Sequence, residues 1–386
     1  MEKPAWMICI THMFLEIYLL IQVALIPVII REFQLSLLEA SLIATVPSLI
    51  ALSMNIPSGF LADRFSTNQL LFASMLIEGL SALLISQTTN FWMLVFGVSL
   101  LKISSPIYHI SGLSQISRLA RPEHMSMTIG FHNALGSLGS AAGVVSLAVF
   151  LSTLGWRWTY LFWAFPILVW GFIILMSKQL KTRRPEEAKT ESKNRLTRLS
   201  LIFSSAFLIF LIATGVREVG MTGSSTFMTT YFVKTRNLSD STASLIFGLG
   251  PFIGIVGSLG GGYLGAKTGA KKTLSWAIFG CAISLSILAF MSQLYLLIPV
   301  YLLYAFFSNA VWSPMNTIVA NVTPETQRGL GYSVYFFSEG LMGSVAPTLA
   351  AGVIELSDVW YIFPFSIIFL VVSLVILQFL KQPKQQ

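Results

Sequence analysis

Hydrophobic positions in this chain come in long runs that do not alternate with polar ones. They fall at roughly 6–30, 39–62, 69–88, 91–118, 126–150, 158–177, 200–232, 240–265, 273–291, 294–321, 328–352 and 359–380. A membrane-spanning helix needs ~20 apolar residues, whereas a spanning strand needs about half that and strict alternation. The pattern therefore predicts twelve transmembrane helices and no barrel. The first run carries His12 and Glu16 and shows no small-x-small cleavage site. It reads as a retained helix rather than a secretion signal.

The stretch "SKQLKTRRPEEAKTESKNRLTRLS" between the sixth and seventh runs is polar and mostly basic. It cannot bury a core and reads as a surface linker. It separates an expected six-helix half, residues 1–178, from a second, residues 200–386, with the linker at 179–199 and a short polar tail at the end. The halves repeat one another. "LSLLEASLI" at 35 reappears as "LSDSTASLI" at 238, and "SGFLADRFSTNQLL" at 58 as "GGYLGAKTGAKKTL" at 261. "RPEH" at 121 returns as "TPET" at 323. Parallel six-helix repeats describe the major facilitator architecture, with the substrate site near the midplane between halves.

Composition agrees. Hydrophobic residues make up 55% of the chain and charged ones 10%, against roughly a quarter charged in soluble domains. The mean hydropathy is +0.76. Lipid therefore solvates most of the surface. The two cysteines, Cys9 and Cys281, sit in apolar runs and offer neither a disulfide framework nor a thiolate metal cluster. The net charge of +8 bears on topology rather than nucleic acid. With the N-terminus and linker in the cytoplasm, Lys3, Arg64, Arg118, Arg121, the linker cations, Lys267, Lys271, Lys272, Arg328, Lys381 and Lys384 are all inside. Arg31, Arg157, Lys234 and Arg236 are left outside. That bias places both termini in the cytoplasm of a multi-pass protein of the cell membrane.

The loop "GFLADRFSTNQ" resembles the signature of the major facilitator superfamily between helices 2 and 3, G-x-L-x-D-R-x-G-R-R. The resemblance assigns gating to Gly59, Asp63 and Arg64, and to Lys271 in the second copy. Ser66, Thr67 and Asn68 replace the usual glycine and cations, and Ala266 replaces the second acid. "THMFLEIYLL" resembles the first helix of the fosmidomycin-resistance branch of drug exporters, G-H-x-x-x-D-x-Y, through His12, Glu16 and Tyr18. The segment from Pro106 to Gly143 resembles that branch's helices 4 and 5 through Tyr108, His109, Gly112, Asn133, Gly136, Gly139 and Gly143, with Ile110 in place of a proline. The resemblance implies proton-driven efflux of a small solute by a single chain.

Ionisable groups inside membrane spans are costly and tend to be functional. His12 and Glu16 share a helical face at i, i+4 and are the candidate proton-coupling pair, or else a static packing staple. Helices 1, 4, 7 and 10 line the cavity in the architecture that this chain resembles. His109, Tyr108, Arg217, Glu218, Trp312 and Asn309 are therefore candidate substrate contacts. Arg217 cannot shed its charge, so it needs a carboxylate such as Glu16 or Glu339, or an anionic substrate. Glu218 is expected to point about 100° away from it by helix period. Lys102 either faces the site or snorkels. Glu78 and Glu339 are polar staples or transport residues, and His132 has a weaker claim on substrate.

The function expected is thus a proton-coupled antiporter exporting a small drug-like, anionic or amphipathic metabolite. Uptake by symport is one alternative. Another is a divalent metal transporter using His12, Glu16 and His109, since two imidazoles and a carboxylate suit such an ion. No enzyme motif such as H-E-x-x-H occurs, no cofactor is implied, and the expected partners are the solute, protons and lipid, with no nucleic acid.

Overall fold

The computed structural model describes residues 3–119, 125–177, 204–323 and 328–380. Among them every regular element is helical. These are α1 (Lys3–Glu16), α2 (Ile21–Ala24), α3 (Ile26–Phe33), α4 (Leu37–Arg64), α5 (Thr67–Ser86), α6 (Phe91–Leu119), α7 (Met125–Thr153) and α8 (Arg157–Met176). After residue 204 follow α9 (Ser205–Lys234), α10 (Asp240–Thr268), α11 (Ala270–Phe290), α12 (Leu294–Ala310), α13 (Trp312–Val322), α14 (Arg328–Glu355) and α15 (Ile362–Gln378). Twelve stretches are long and apolar enough to cross a membrane, as the hydrophobic runs predict. The expected linker at 179–199 lies outside the described residues.

The sequence repeat is visible in local backbone geometry. Gln34 ends α3 in the left-handed conformation, and Asn237, 203 residues later, adopts the same one, with φ of 54° and 55°. These are the positive φ values outside glycine among the described residues. Two residues on, Ser36 and Ser239 place their hydroxyls on the backbone N–H groups of Glu39 and Thr242, each at 3.1 Å. A serine N-cap of this kind satisfies a donor that the first helical turn leaves open. The same stop and the same start recur at one offset, which is what duplication of a helix–turn–helix unit produces.

By contacts the chain divides into two compact units, residues 1–183 with 226–252, and residues 184–225 with 253–386. Duplication and packing thus draw different boundaries. The facing ends of α9 and α10 group with the first unit for identifiable reasons. Pro27 has no N–H to offer Val23 one turn earlier, and the Thr229 hydroxyl donates to that carbonyl at 3.2 Å. Ser241 donates to the Ala148 carbonyl at 2.7 Å, and Arg31 pairs with Asp240. Gly248 brings the α10 backbone against the Val144 side chain.

Within the first unit, α5 packs on α6 and α8, α4 on α6, and α1 on both α6 and α7. The first apolar run is not one helix, as the sequence suggests, but breaks after Glu16. Residues 17–20 form a turn in which Ile17 and Leu19 bond three residues back, to Phe14 and Glu16. The freed Leu19 carbonyl is met by the Gln22 side-chain amide at 2.7 Å. Irregular backbone at membrane depth is tolerated only where protein or trapped water covers it. Here α7 supplies the cover. Gly139 and Gly143 lie so close to the Met13 and Ile17 carbonyls that no Cβ fits at either position, and a Cβ at Gly136 would collide with the His12 ring.

The second unit repeats the device with different residues. Here α11 packs on α12, α13 and α15, and α13 on α14. The tenth apolar run breaks at Val311, between α12 and α13. Pro314 cannot donate to the Ala310 carbonyl. Gly257 and Gly261 of α10 face the Phe306 and Ala310 carbonyls with no room for a Cβ.

An alanine at Gly143 must move helix backbone rather than a flexible side chain. Overpacking of this kind costs about 1–3 kcal/mol. Gly143→Ala is expected to lower the thermal unfolding midpoint of the detergent-solubilised protein. Gly130→Ala, placed in open space on the same helix, is expected to leave it unchanged.

Candidate functional site

The break after Glu16 gathers polar groups in the first unit. His12 is buried, with its Nδ1 2.9 Å from the His132 carbonyl oxygen. A carbonyl only accepts, so Nδ1 carries the hydrogen. The other ring nitrogen, Nε2, lies 3.3 Å from Glu16 Oε1. Two lone pairs facing at that distance would repel. A proton on either group, as imidazolium with carboxylate or imidazole with carboxylic acid, removes that repulsion. His109 approaches the same Glu16 oxygen, Nε2 at 3.8 Å, and is about a third exposed. One ligand-capable atom from each of His12, Glu16 and His109 lies within 4.8 Å of the others.

Behind this contact lies a hydrogen-bonded chain. The His132 ring stacks on the His12 ring, centroids 3.8 Å apart and 7° from parallel. His132 Nε2 meets the Tyr108 hydroxyl at 2.9 Å, and that hydroxyl donates to the Ile8 carbonyl at 2.9 Å. His132 Nδ1 contacts Asn133 Oδ1 at 3.1 Å. The missing Cβ at Gly136 lets both imidazoles occupy the α1–α7 seam.

In front of the contact lies a cavity of about 20 Å³ lined by Leu15, Glu16, Leu19, Leu101, Lys102, Ser104 and Ser105. That is room for one water. Lys102 therefore faces the cluster rather than snorkelling outward. Glu78 is fully buried beside it. Its Oε2 accepts from the Ser104 hydroxyl at 3.3 Å, and its Oε1 has no hydrogen-bond partner.

The second unit holds another cluster. Arg217, 2% exposed, directs Nη2 to Glu218 Oε2 at 2.8 Å and to Glu339 Oε1 at 2.9 Å. Glu218 does not point away, as the helix period suggests. Both neighbours carry long side chains that bend back into one pair. The Thr222 hydroxyl donates to Glu218 Oε1 at 2.6 Å. Of the partners considered for Arg217, the structure brings Glu339.

The remaining candidates are placed as follows. Tyr108 is fully buried and holds α6 to α1 and α7 through the bonds above, so its hydroxyl is committed within the protein. Asn309 donates to the Ala305 carbonyl at 2.9 Å and packs on Gly254. Trp312 stands at the α12–α13 break and is 40% exposed. Lys271 donates to the Gln378 and Leu380 carbonyls at 3.0 and 2.8 Å, closing the end of α15. Arg64 is exposed in the last turn of α4. Gly59 and Asp63 are on α4, but their surroundings lie outside the described residues, as does Arg121.

His132 is the residue that sequence reasoning underrated. Its signal was the stripe Gly136, Gly139, Gly143, which brings α7 against α1 and so carries His132, one turn earlier, onto His12.

Solved structures with this fold include a bacterial homologue of the human lysosomal transporter Spinster, in an inward-facing unoccupied and an inward-facing occupied form. Each matches with a TM-score of 0.79 at 14% identity, covering 98% of this chain and 97% of the other. At that identity the likeness is one of fold. The curated nitrite extrusion protein of Bacillus subtilis (strain 168) is 25% identical over 136 residues, 35% of this chain. The match spans about a third (34%) of that relative's length. The family profile described as Major Facilitator Superfamily matches residues 7–347 and 211–386. With twelve apolar helices behind that match, the chain belongs to the Major Facilitator Superfamily and is a secondary transporter working by alternating access.

Proposed function

We propose that this transporter is a proton-coupled antiporter that exports a small anionic or amphipathic solute, with the His12–Glu16 contact as its proton site. The reading is carried by one observation. The His132 carbonyl accepts from His12 Nδ1, which turns Nε2 toward Glu16 at 3.3 Å, where a proton would relieve two facing acceptors. A pair that stores a proton beside a water-sized cavity can release it when solute or water arrives. Tyr108 and His132 position the imidazole, and His109 is the exposed member that meets water or solute. Lys102 places an amine on the cavity wall, which suits an anion when protonated. The partial relative named for nitrite extrusion puts a small inorganic anion among the solutes to be tried. The protein acts in the cell membrane as a monomer, with both termini cytoplasmic.

Everted vesicles carrying an imposed pH gradient test this with nitrite, fosmidomycin and ethidium as probes. At least one probe is expected to discharge the gradient with the wild-type protein. Glu16→Gln is expected to abolish the discharge while leaving exchange of the labelled probe across the membrane intact. Discharge by the variant at the wild-type rate would refute the assignment.

A divalent cation is the second reading, favoured by the spacing of His12, Glu16 and His109. Ligands held at about 2.1 Å in a tetrahedral site stand roughly 3.4 Å apart, near the 3.3 and 3.8 Å seen here. A carbonyl on the far nitrogen of His12 is also what ligating histidines commonly have. The purified protein equilibrated with zinc or manganese is expected to retain less than one ion per chain. One ion per chain, lost in His109→Ala, would favour the metal reading over the proton one.

A further inference from the structure

We infer that the Glu218–Glu339 pair of the second unit holds one exchangeable proton over Arg217, a proton site separate from the His12–Glu16 contact. The inference rests on the chain being a transporter but not on the role given to Glu16.

Charge counting carries the argument. Arg217 is buried and keeps its single positive charge. Two carboxylates meet it, and both do so at the same nitrogen, Nη2. They are therefore neighbours of each other as well as of the guanidinium. Arg217 Nε has no hydrogen-bond partner, so neither acid uses the two-pronged geometry that makes an arginine pair strong. One guanidinium balances one carboxylate. The second negative charge is left without a cation beside Glu339, whose side chain is 7% exposed, and an uncompensated buried ion is costly.

Among the described residues, no second cation pairs with either acid. The charged groups acting on Glu339 are Arg217 and Glu218. The other titratable neighbours are Tyr335 on the same helix, Tyr304 from α12 and Cys281 from α11, all neutral when protonated. From α15 come Ser366, Phe365 and Phe369, against Gly220 and Gly223. The Thr222 hydroxyl donates one hydrogen bond to Glu218, which softens but does not cancel a charge. A proton shared by the two acids removes the excess, as in carboxylate pairs too close for both to ionise.

The pair also has a route to water. Glu339 is 7% exposed at its side chain and Glu218 21%. Gly343 lets Glu218 approach closely, since a Cβ there would stand 3.3 Å from Glu218 Oε1. The proton sits between a buried acid and a reachable one. The two acids take it in turn, with Arg217 pairing whichever is ionised.

Infrared spectroscopy of the full-length protein in detergent, in the region of protonated carboxyl groups, tests this directly. Glu218→Gln and Glu339→Gln are each expected to remove one protonated carboxyl per chain relative to wild type. With one acid gone, the other becomes the sole partner of Arg217 and ionises. Glu16→Gln is expected to keep that signal, which separates this site from the one in the first unit. Should a glutamine variant not fold, Glu218→Asp and Glu339→Asp keep the proton and are each expected to shift its band. Retention of the full wild-type signal in either glutamine variant, or an unmoved band in either aspartate variant, overturns the shared proton.

Discussion

A backbone carbonyl that loses its helical donor inside a lipid-facing bundle must find cover, and the rest of this structure depends on how that is done. Each unit breaks one helix at membrane depth, after Glu16 in one and at Val311 in the other. Each break is covered by a neighbouring helix whose glycines stand three and four residues apart, 136–139–143 on α7 and 254–257–261 on α10. The covering backbone comes close enough to shield the freed carbonyls from lipid. The cause of the break differs. Pro314 enforces the second, whereas the first has no proline at Ile17–Leu20 and relies on Gln22 to satisfy Leu19. A break held by side-chain contacts rather than by covalent geometry can be remade.

The glycine stripe also sets the chemistry of the first unit. Without a Cβ at Gly136, two imidazoles stack in the seam, and the backbone of α7 reaches His12 Nδ1 through the His132 carbonyl. That bond decides which nitrogen faces Glu16. The orientation of the His12–Glu16 contact therefore follows from the packing of two helices, not from the two residues alone.

Much of this was legible in the sequence, and the reasons divide cleanly. Hydrophobic run length gave twelve spans because the bilayer imposes that length on every helix. The repeat was readable because the turn at 34–36 and its copy at 237–239 need the same backbone conformation and the same serine cap. His12 and Glu16 were found by their cost in a membrane. The first break was not legible, since Glu16–Leu20 continues the apolar run without glycine or proline. Nor was the meeting of Arg217 with Glu218, because helix period fixes where Cβ points but not where a long side chain ends. Lys271 was taken for a gate because of its place in a motif. The carbonyls at the end of α15 that it binds lie over a hundred residues away in sequence.

The two buried clusters differ in what can leave them. In the first, the basic partners of Glu16 within 4 Å among the described residues are histidines, able to be neutral or charged. The cluster can therefore change its charge at either partner. In the second, the base is an arginine, which stays charged, so any change must occur on the carboxylates. An arginine holding two acids keeps α9 tied to α14 in either protonation state, because one ion pair always remains. A histidine holding one acid loses its pair when the proton departs.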